Sequence, residues 1–256
     1  WSVSTRTMKR SFVRAIWGDM STNGIRKGKL CNDIKLIKDN PYTEPFVVYV
    51  FGQDNYKQLM LDEWDCRLID ENSVRYDMKT HLYRHKLDVL YEAMQEFDEI
   101  VFLDWDVRPT VKLPDDFWET MKEKAVFQAN LFQYRTKKCL WRKDDWRKVC
   151  NGGFLYMRDP KVPKDFINNY DKLSEWVAKK KEERESCGKK LRFREEALMF
   201  DDEPSITKWV DDCMDGWKGI DEYWKMFEPN FCNLKKKSAF SKELLDTKRE
   251  CFVHWG

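Results

Sequence analysis

The sequence has no apolar run approaching 18 residues, so it offers no membrane-spanning helix. It has no CxxC pair: its eight cysteines stand singly, at positions 31, 66, 139, 150, 187, 213, 232 and 251, which argues against a zinc ribbon or a dithiol redox motif. In a domain of this size without a visible signal peptide they read as reduced, and a cytoplasmic protein is expected. The first residue is Trp rather than Met, so the chain reads as trimmed and the missing signal peptide weighs little. There is no internal repeat and no low-complexity linker. Net charge is small too: 47 basic against 45 acidic side chains leave +2, which alone points to neither nucleic acid nor membrane.

What is present describes a folded α/β protein. Of the 256 residues, 42% are hydrophobic and 15% aromatic, enough for a sizeable core despite 36% charged side chains. That length suits one domain with no convincing internal boundary, residues 1–256. "SFVRAIW" (11–17), "FVVYVFG" (46–52) and "CRLID" (66–70) read as strands, with a helix expected at 29–41, where apolar residues at 30, 34 and 37 stop at Pro41. The clearest helix is 80–97, in which Leu82, Leu87, Leu90, Met94 and Phe97 recur near period 3.6 and lead into the strand "EIVFL". Such alternation implies parallel strands with crossover helices, and ligands of such sheets bind beyond the carboxyl ends of the strands. Further on, 115–130 reads as helix then strand, 152–159 as a strand, 162–185 as a long charged helix, and "ECFVHWG" as a last strand.

The apolar strand "EIVFL" runs directly into "DWDV", placing Asp104 and Asp106 where the sheet should open. Side chains two apart on an extended segment point the same way, so both carboxylates can reach one hard cation, Mn²⁺ or Mg²⁺. One D-x-D is expected by chance in a chain of this length, and an acidic turn is the plain alternative; the strand before it favours the metal.

With that strand in place, the sequence resembles the GT-A glycosyltransferases, of the glycogenin and bacterial galactosyltransferase type, through several short motifs in order along nearly the whole chain. The resemblance implies a mostly parallel, Rossmann-like sheet flanked by helices, a nucleoside-diphosphate sugar as donor, UDP being the expected nucleotide, and a divalent metal. The donor half would be about 1–112 and the acceptor half about 113–256. On the helix before the D-x-D strand, Lys86 would correspond to a basic residue near the donor phosphates; an ordinary exposed helix face is the alternative. "CNGGFLYMRD" resembles the strand below the donor sugar, with Asn151, Gly152 and Gly153, although two glycines also suit a bulge. "RFREEALMFDDE" resembles the acidic segment near the reacting carbon, with Glu195 and Glu196 as catalytic candidates; glutamates in a helix's first turn also favour its dipole. Near the end, His254 in "CFVHWG" would join Asp104 and Asp106 as third metal ligand, unless it is a hydrogen-bonded structural histidine. The family's pattern usually continues past the Gly of this motif to a Lys, and this sequence stops before that position; a basic residue elsewhere, or a trimmed end, would account for it. In "RAIWGDM", Trp17 would stack on the base and Asp19 would bond to base or ribose. "VFGQDNY" (50–56) is a second candidate pocket lining, or turn chemistry alone.

The resemblance implies a hexosyl- or pentosyltransferase. Its acceptor is read from basic clusters interleaved with aromatics at 135–148, 179–194 and 233–242, which suit a polyanion. A soluble enzyme of this kind resembles phage enzymes that glycosylate hydroxymethylated pyrimidines in DNA, on a base flipped from the duplex. Polysaccharide, lipid-linked and protein acceptors are the alternatives. A nucleotidyltransferase of the same fold should show a Gly-rich N-terminal loop, and "STNGIRKGK" is a poor match. A non-catalytic nucleic-acid-binding module would use the same basic and aromatic surface without a metal.

Overall fold

Runs of β-branched and aromatic residues in the first half form strands buried on both faces, as a parallel sheet covered by helices requires. The computed structural model describes residues 7–18, 44–70, 84–104, 107–109, 113–124, 127–133, 148–190, 202–213, 232–234 and 252–254. Strands β1 (Arg10–Ile16), β2 (Phe46–Phe51), β3 (Asp65–Ile69), β4 (Glu99–Leu103), β6 (Phe127–Gln133) and β7 (Lys148–Met157) make one sheet in the order β3-β2-β1-β4-β7-β6. The pairings β3–β2, β2–β1 and β1–β4 are parallel, whereas β4–β7 and β7–β6 are antiparallel. A second, three-stranded sheet has the order β5-β9-β8, from β5 (Val107–Pro109), β9 (Phe252–His254) and β8 (Cys232–Leu234).

Strand order reverses between β1 and β4: from β1 the chain winds outward to β2 and β3, then returns to β1's other side. At such a switch point the loops leave in opposite directions and open a crevice at the strands' carboxyl ends. Helices α1 (Gln53–Leu61), α2 (Arg84–Glu96), α3 (Phe117–Lys124), α4 (Lys161–Ser186) and α5 (Glu203–Cys213) cover the sheet. Alternation divides each strand cleanly between two cores. Val13, Ala15, Val47, Tyr49, Ile100, Phe102, Leu155 and Met157 face α2, α4 and α5; Phe12, Ile16, Val48, Val101, Leu103 and Tyr156 face α3 and Leu59 of α1. Each fully buried Val or Phe contributes about 1.5–3 kcal/mol.

The strands expected at 11–17, 46–52, 66–70 and 99–103 and the long helix at 162–185 are present within a residue or two; of the helix expected at 80–97, residues 84–96 are helical and 80–83 lie outside the described residues. β7 begins earlier than its glycines suggest, at Lys148. Helix α1 forms where only turn chemistry was legible. Asn55 lies on it, 9% exposed, and its Nδ2 donates to Gly18 O (2.6 Å) and Phe51 O (3.0 Å), tying the exits of β1 and β2 together. The helix expected at 29–41 lies outside the described residues. Among the described residues no helix is long and apolar enough to cross a membrane.

Candidate functional site

Three elements meet at the open end of the switch point, and each brings a charged group. β4 delivers Asp104. Its backbone N–H donates to Gly153 O on β7 (2.8 Å), its carbonyl accepts from Val107 N–H (2.9 Å), and its side chain is 28% exposed. The first turn of α2 delivers Lys86, which is only 2% exposed. Its ammonium donates to Asp104 Oδ2 at 2.9 Å and to Gly152 O at 3.3 Å. The residue ahead of α5 delivers Asp202, also 2% exposed, with Oδ2 3.0 Å from Lys86 Nζ.

One ammonium thus lies between two carboxylates, leaving a surplus negative charge. Burial would by itself discharge Lys86, but the two carboxylates outweigh it and raise its pKa, so the ammonium persists. Burial raises the pKa of Asp202, and the Asp104 charge adds to the effect while Lys86 opposes it. Asp104 is the member of the trio that reaches solvent.

Gly152 is what lets the three converge. On this position a Cβ would lie 2.2 Å from Asp202 Oδ2 and 3.0 Å from Lys86 Nζ, a separation that no Cβ tolerates from the carboxylate. The β6–β7 register slips at this point: Ala129 pairs with Leu155 but Asn130 pairs with Asn151, so residues 152–154 have no partner on β6 and form a bulge. The missing side chain therefore makes room for Asp202 and Lys86. Gly152 N–H also lies 3.4 Å from Glu203 Oε1.

The other predicted residues are placed as follows. Trp17 ends β1 at the same crevice but is 8% exposed, its ring 6.3 Å from that of His85, so most of it belongs to the core. Gly18 follows with φ +77, the left-handed turn that ends the strand. Asn151 is described as strand backbone, paired with Asn130. β9 pairs antiparallel with β5, and His254 stands in register with Val107, one residue past Asp106. The backbone thus carries His254 to the D-x-D segment from the far end of the chain. Asp19, Asp106, Glu195 and Glu196 lie outside the described residues.

Asp202 was missed from sequence. It sits in the segment quoted for Glu195 and Glu196, but an Asp ahead of a helix with Pro204 in its first turn reads as an N-cap. Its Lys86 contact depends on α5 packing against β7. A recess of about 470 Å³ lined by Tyr49, Arg67, Leu68, Glu92 and Glu96 lies at the sheet's outer edge, away from this cluster. There Arg67 Nη2 already pairs with Glu96 at 2.7 Å, and the Tyr49 hydroxyl donates to Glu96 at 2.9 Å.

A divalent metal is what the sequence resemblance implies, and one described residue suits it. Asp104 offers a partly exposed carboxylate to a site with surplus negative charge, and hard oxygen donors suit Mg²⁺ and Mn²⁺. Of the three predicted ligands only Asp104 has a described side chain, and among the described residues no three His, Cys, Asp or Glu side chains gather as a metal site.

No protein-family model matches the chain, and no curated protein matches its sequence. Solved structures do match. The galactosyltransferase LgtC, solved with donor and acceptor sugar analogues, superposes with a TM-score of 0.51 at 15% identity, over 96% of this chain and 86% of LgtC. Mouse xyloside xylosyltransferase 1 gives 0.49 at 10% identity over 97% of both chains. For the glycosyltransferase GlyE of Streptococcus pneumoniae TIGR4 the values are 0.39 and 19%, over 77% of this chain, which spans 44% of GlyE. At such identities the likeness is one of fold. With its mostly parallel sheet, its switch point between β1 and β4 and its antiparallel β7 beside β4, the chain has the GT-A fold, as LgtC does.

Proposed function

We propose that this chain is a metal-dependent glycosyltransferase, moving a hexose or pentose from a nucleoside-diphosphate sugar, with UDP as the nucleotide, to an acceptor hydroxyl. The observation that carries this reading is the Lys86–Asp104–Asp202 cluster at the carboxyl-end crevice of the switch point. There a partly exposed carboxylate can receive a cation, with a buried ammonium fixed behind it. Asp104, Asp106 and His254 would hold Mn²⁺ or Mg²⁺, which when bound supplies Lewis-acid neutralisation of the departing nucleoside diphosphate.

Lys86 adds a fixed positive charge beneath the donor phosphates. It needs no reorganisation, because Asp104, Asp202 and Gly152 O already hold its ammonium. Asp202 orients Lys86, and with Glu203 it puts two carboxylates at the start of α5, beside Gly152, where the sugar would lie. Glu195 and Glu196, on the approach to α5, remain the proposed catalytic pair. Trp17 and Asp19 would close the base end, and Asn151, Gly152 and Gly153 the sugar end. Residues 1–112 form the donor half in this reading and 113–256 the acceptor half.

A hydroxymethylated pyrimidine in DNA is the acceptor we put to test first, although the described part of the basic second half gives it little. On α4 the lysines are interleaved with acids: Lys180 pairs with Glu183 and Lys181 with Glu185, as on a solvated helix face. The test is a thermal-shift screen of nucleotide sugars with Mn²⁺, followed by incubation of the protecting donor with duplex DNA containing hydroxymethylpyrimidine. We expect one donor to raise the melting temperature, and the DNA to gain the mass of one sugar. Protection by none of the donors overturns the glycosyltransferase reading. Protection without a mass gain moves the acceptor to a polysaccharide, lipid-linked or protein hydroxyl.

A further inference from the structure

Arg14 is a charged residue in the middle of the central strand. It is 0% exposed, within the apolar run "SFVRAIW". By alternation it belongs with Phe12 and Ile16, on the face opposite Lys86, and its guanidinium lies 5.1 Å from the Phe46 ring centroid. An apolar side chain of similar length would fill that space without the desolvation penalty of a charge. The guanidinium makes a directed contact: Nη2 donates to the backbone carbonyl of Val107 at 2.7 Å. Val107 is the residue next to Asp106, and its N–H donates back to Asp104 O.

We infer that Arg14 is a positioning residue for the D-x-D segment, fixing its exit from below as Lys86 fixes its entrance from above. The inference rests on the metal-dependent reading of the site. The segment is held at four points: Asp104 N–H by Gly153 O, Asp104 Oδ2 by Lys86, Asp104 O by Val107 N–H, and Val107 O by Arg14. The last of these reaches furthest. Val107 stands in register with His254, so the residue that Arg14 grips adjoins Asp106 in sequence and faces His254 across the small sheet. A charge-assisted bond to that carbonyl is stronger than a neutral one and holds the backbone next to Asp106 in place before any metal arrives.

The test measures Mn²⁺ affinity by electron paramagnetic resonance in saturating UDP, alongside the melting temperature of the unliganded protein. Arg14→Met should weaken Mn²⁺ binding by about tenfold, the low end of the range for residues that orient metal ligands. Arg14→Lys, which keeps a charge and a donor but reaches one bond less far and lacks the planar fork, should recover only part of the Met variant's loss. If the Met variant does not fold, Arg14→Gln gives the same reading, since its amide nitrogen is two bonds shorter and stops short of Val107. Arg10→Met is the control: at the other end of β1 it breaks the 2.6 Å pair with Glu99, and it should lower the melting temperature while leaving Mn²⁺ affinity unchanged. Unaltered Mn²⁺ affinity in the Arg14 variants overturns the inference, and so does an equal loss in Arg10→Met. If wild type gains nothing over Asp106→Ala, the metal reading itself fails and takes the inference with it.

Discussion

Gly152→Ala tests the construction of the site at a single atom. The added Cβ would stand 2.2 Å from Asp202 Oδ2 and 3.1 Å from Asp202 Cγ, with Lys86 Nζ at 3.0 Å. The carboxylate must retreat by about 0.8 Å to reach a tolerable separation, and it is enclosed by α5, β7 and Lys86. Overpacking of this kind costs about 1–3 kcal/mol. In a chain of this size each kcal/mol lowers the melting temperature by roughly 2–4 °C, so the variant should melt about 2–12 °C below wild type. The cause is separable by a double-mutant cycle. Asp202→Ala removes the obstructing carboxylate at its own cost, and adding Gly152→Ala to that background should cost less than about 0.5 kcal/mol. Differential scanning fluorimetry of the four proteins, without metal or nucleotide, reads the cycle. If the two substitutions simply add, or if Gly152→Ala melts with wild type, the Gly152–Asp202 contact is not what shapes this end of the sheet.

Two other perturbations have defined outcomes. Lys86→Met leaves Asp104 and Asp202 without their shared cation; losing one partner of a buried pair costs about 3–5 kcal/mol, so melting should fall by at least about 6 °C, and Lys86→Arg should recover part of it. Glu96 is a pH probe remote from the site. Burial alone would raise its pKa, but bonds from Arg67 and Tyr49 outweigh that and hold it below the usual 4.5. Its contribution is therefore complete above about pH 4.5 and lost as pH falls through the depressed folded value. Denaturant titrations from pH 6 to 3 should show wild type losing more stability than Glu96→Gln, by under about 1 kcal/mol, because the pair is partly exposed. Equal losses would remove Glu96 from the account.

Much of this was legible in the sequence because burial on both faces leaves a local mark. Apolar β-branched runs marked β1, β2 and β4 to within a residue, and the 3.6-residue period of Leu87, Leu90 and Met94 marked the described part of the helix expected at 80–97, α2 over 84–96. Helix α1 was not legible: Met60 and Leu61 are exposed, and a buried Asn55 occupies its inner face, so the apolar period points the wrong way. Lys86 and Asp104 were read from motif order and do meet. Asp202 was illegible because its role comes from three long-range events: the register slip at Gly152, the packing of α5 on β7, and the entry of Lys86 from α2. Arg14 did leave a signal, a cation within a central-strand run, but its target, the carbonyl of Val107, appears only when β4 and β1 pair.

The central claim is that the end of β4 binds a nucleoside diphosphate through a divalent cation. Calorimetric titration of UDP into wild type and Asp106→Ala, each with and without Mn²⁺, tests it most directly. The account predicts that Mn²⁺ tightens UDP binding to wild type by at least about tenfold, a coupling of about 1.4 kcal/mol, and that the gain vanishes in Asp106→Ala. Equal affinity of wild type with and without the metal, or a gain that survives the substitution, would contradict it.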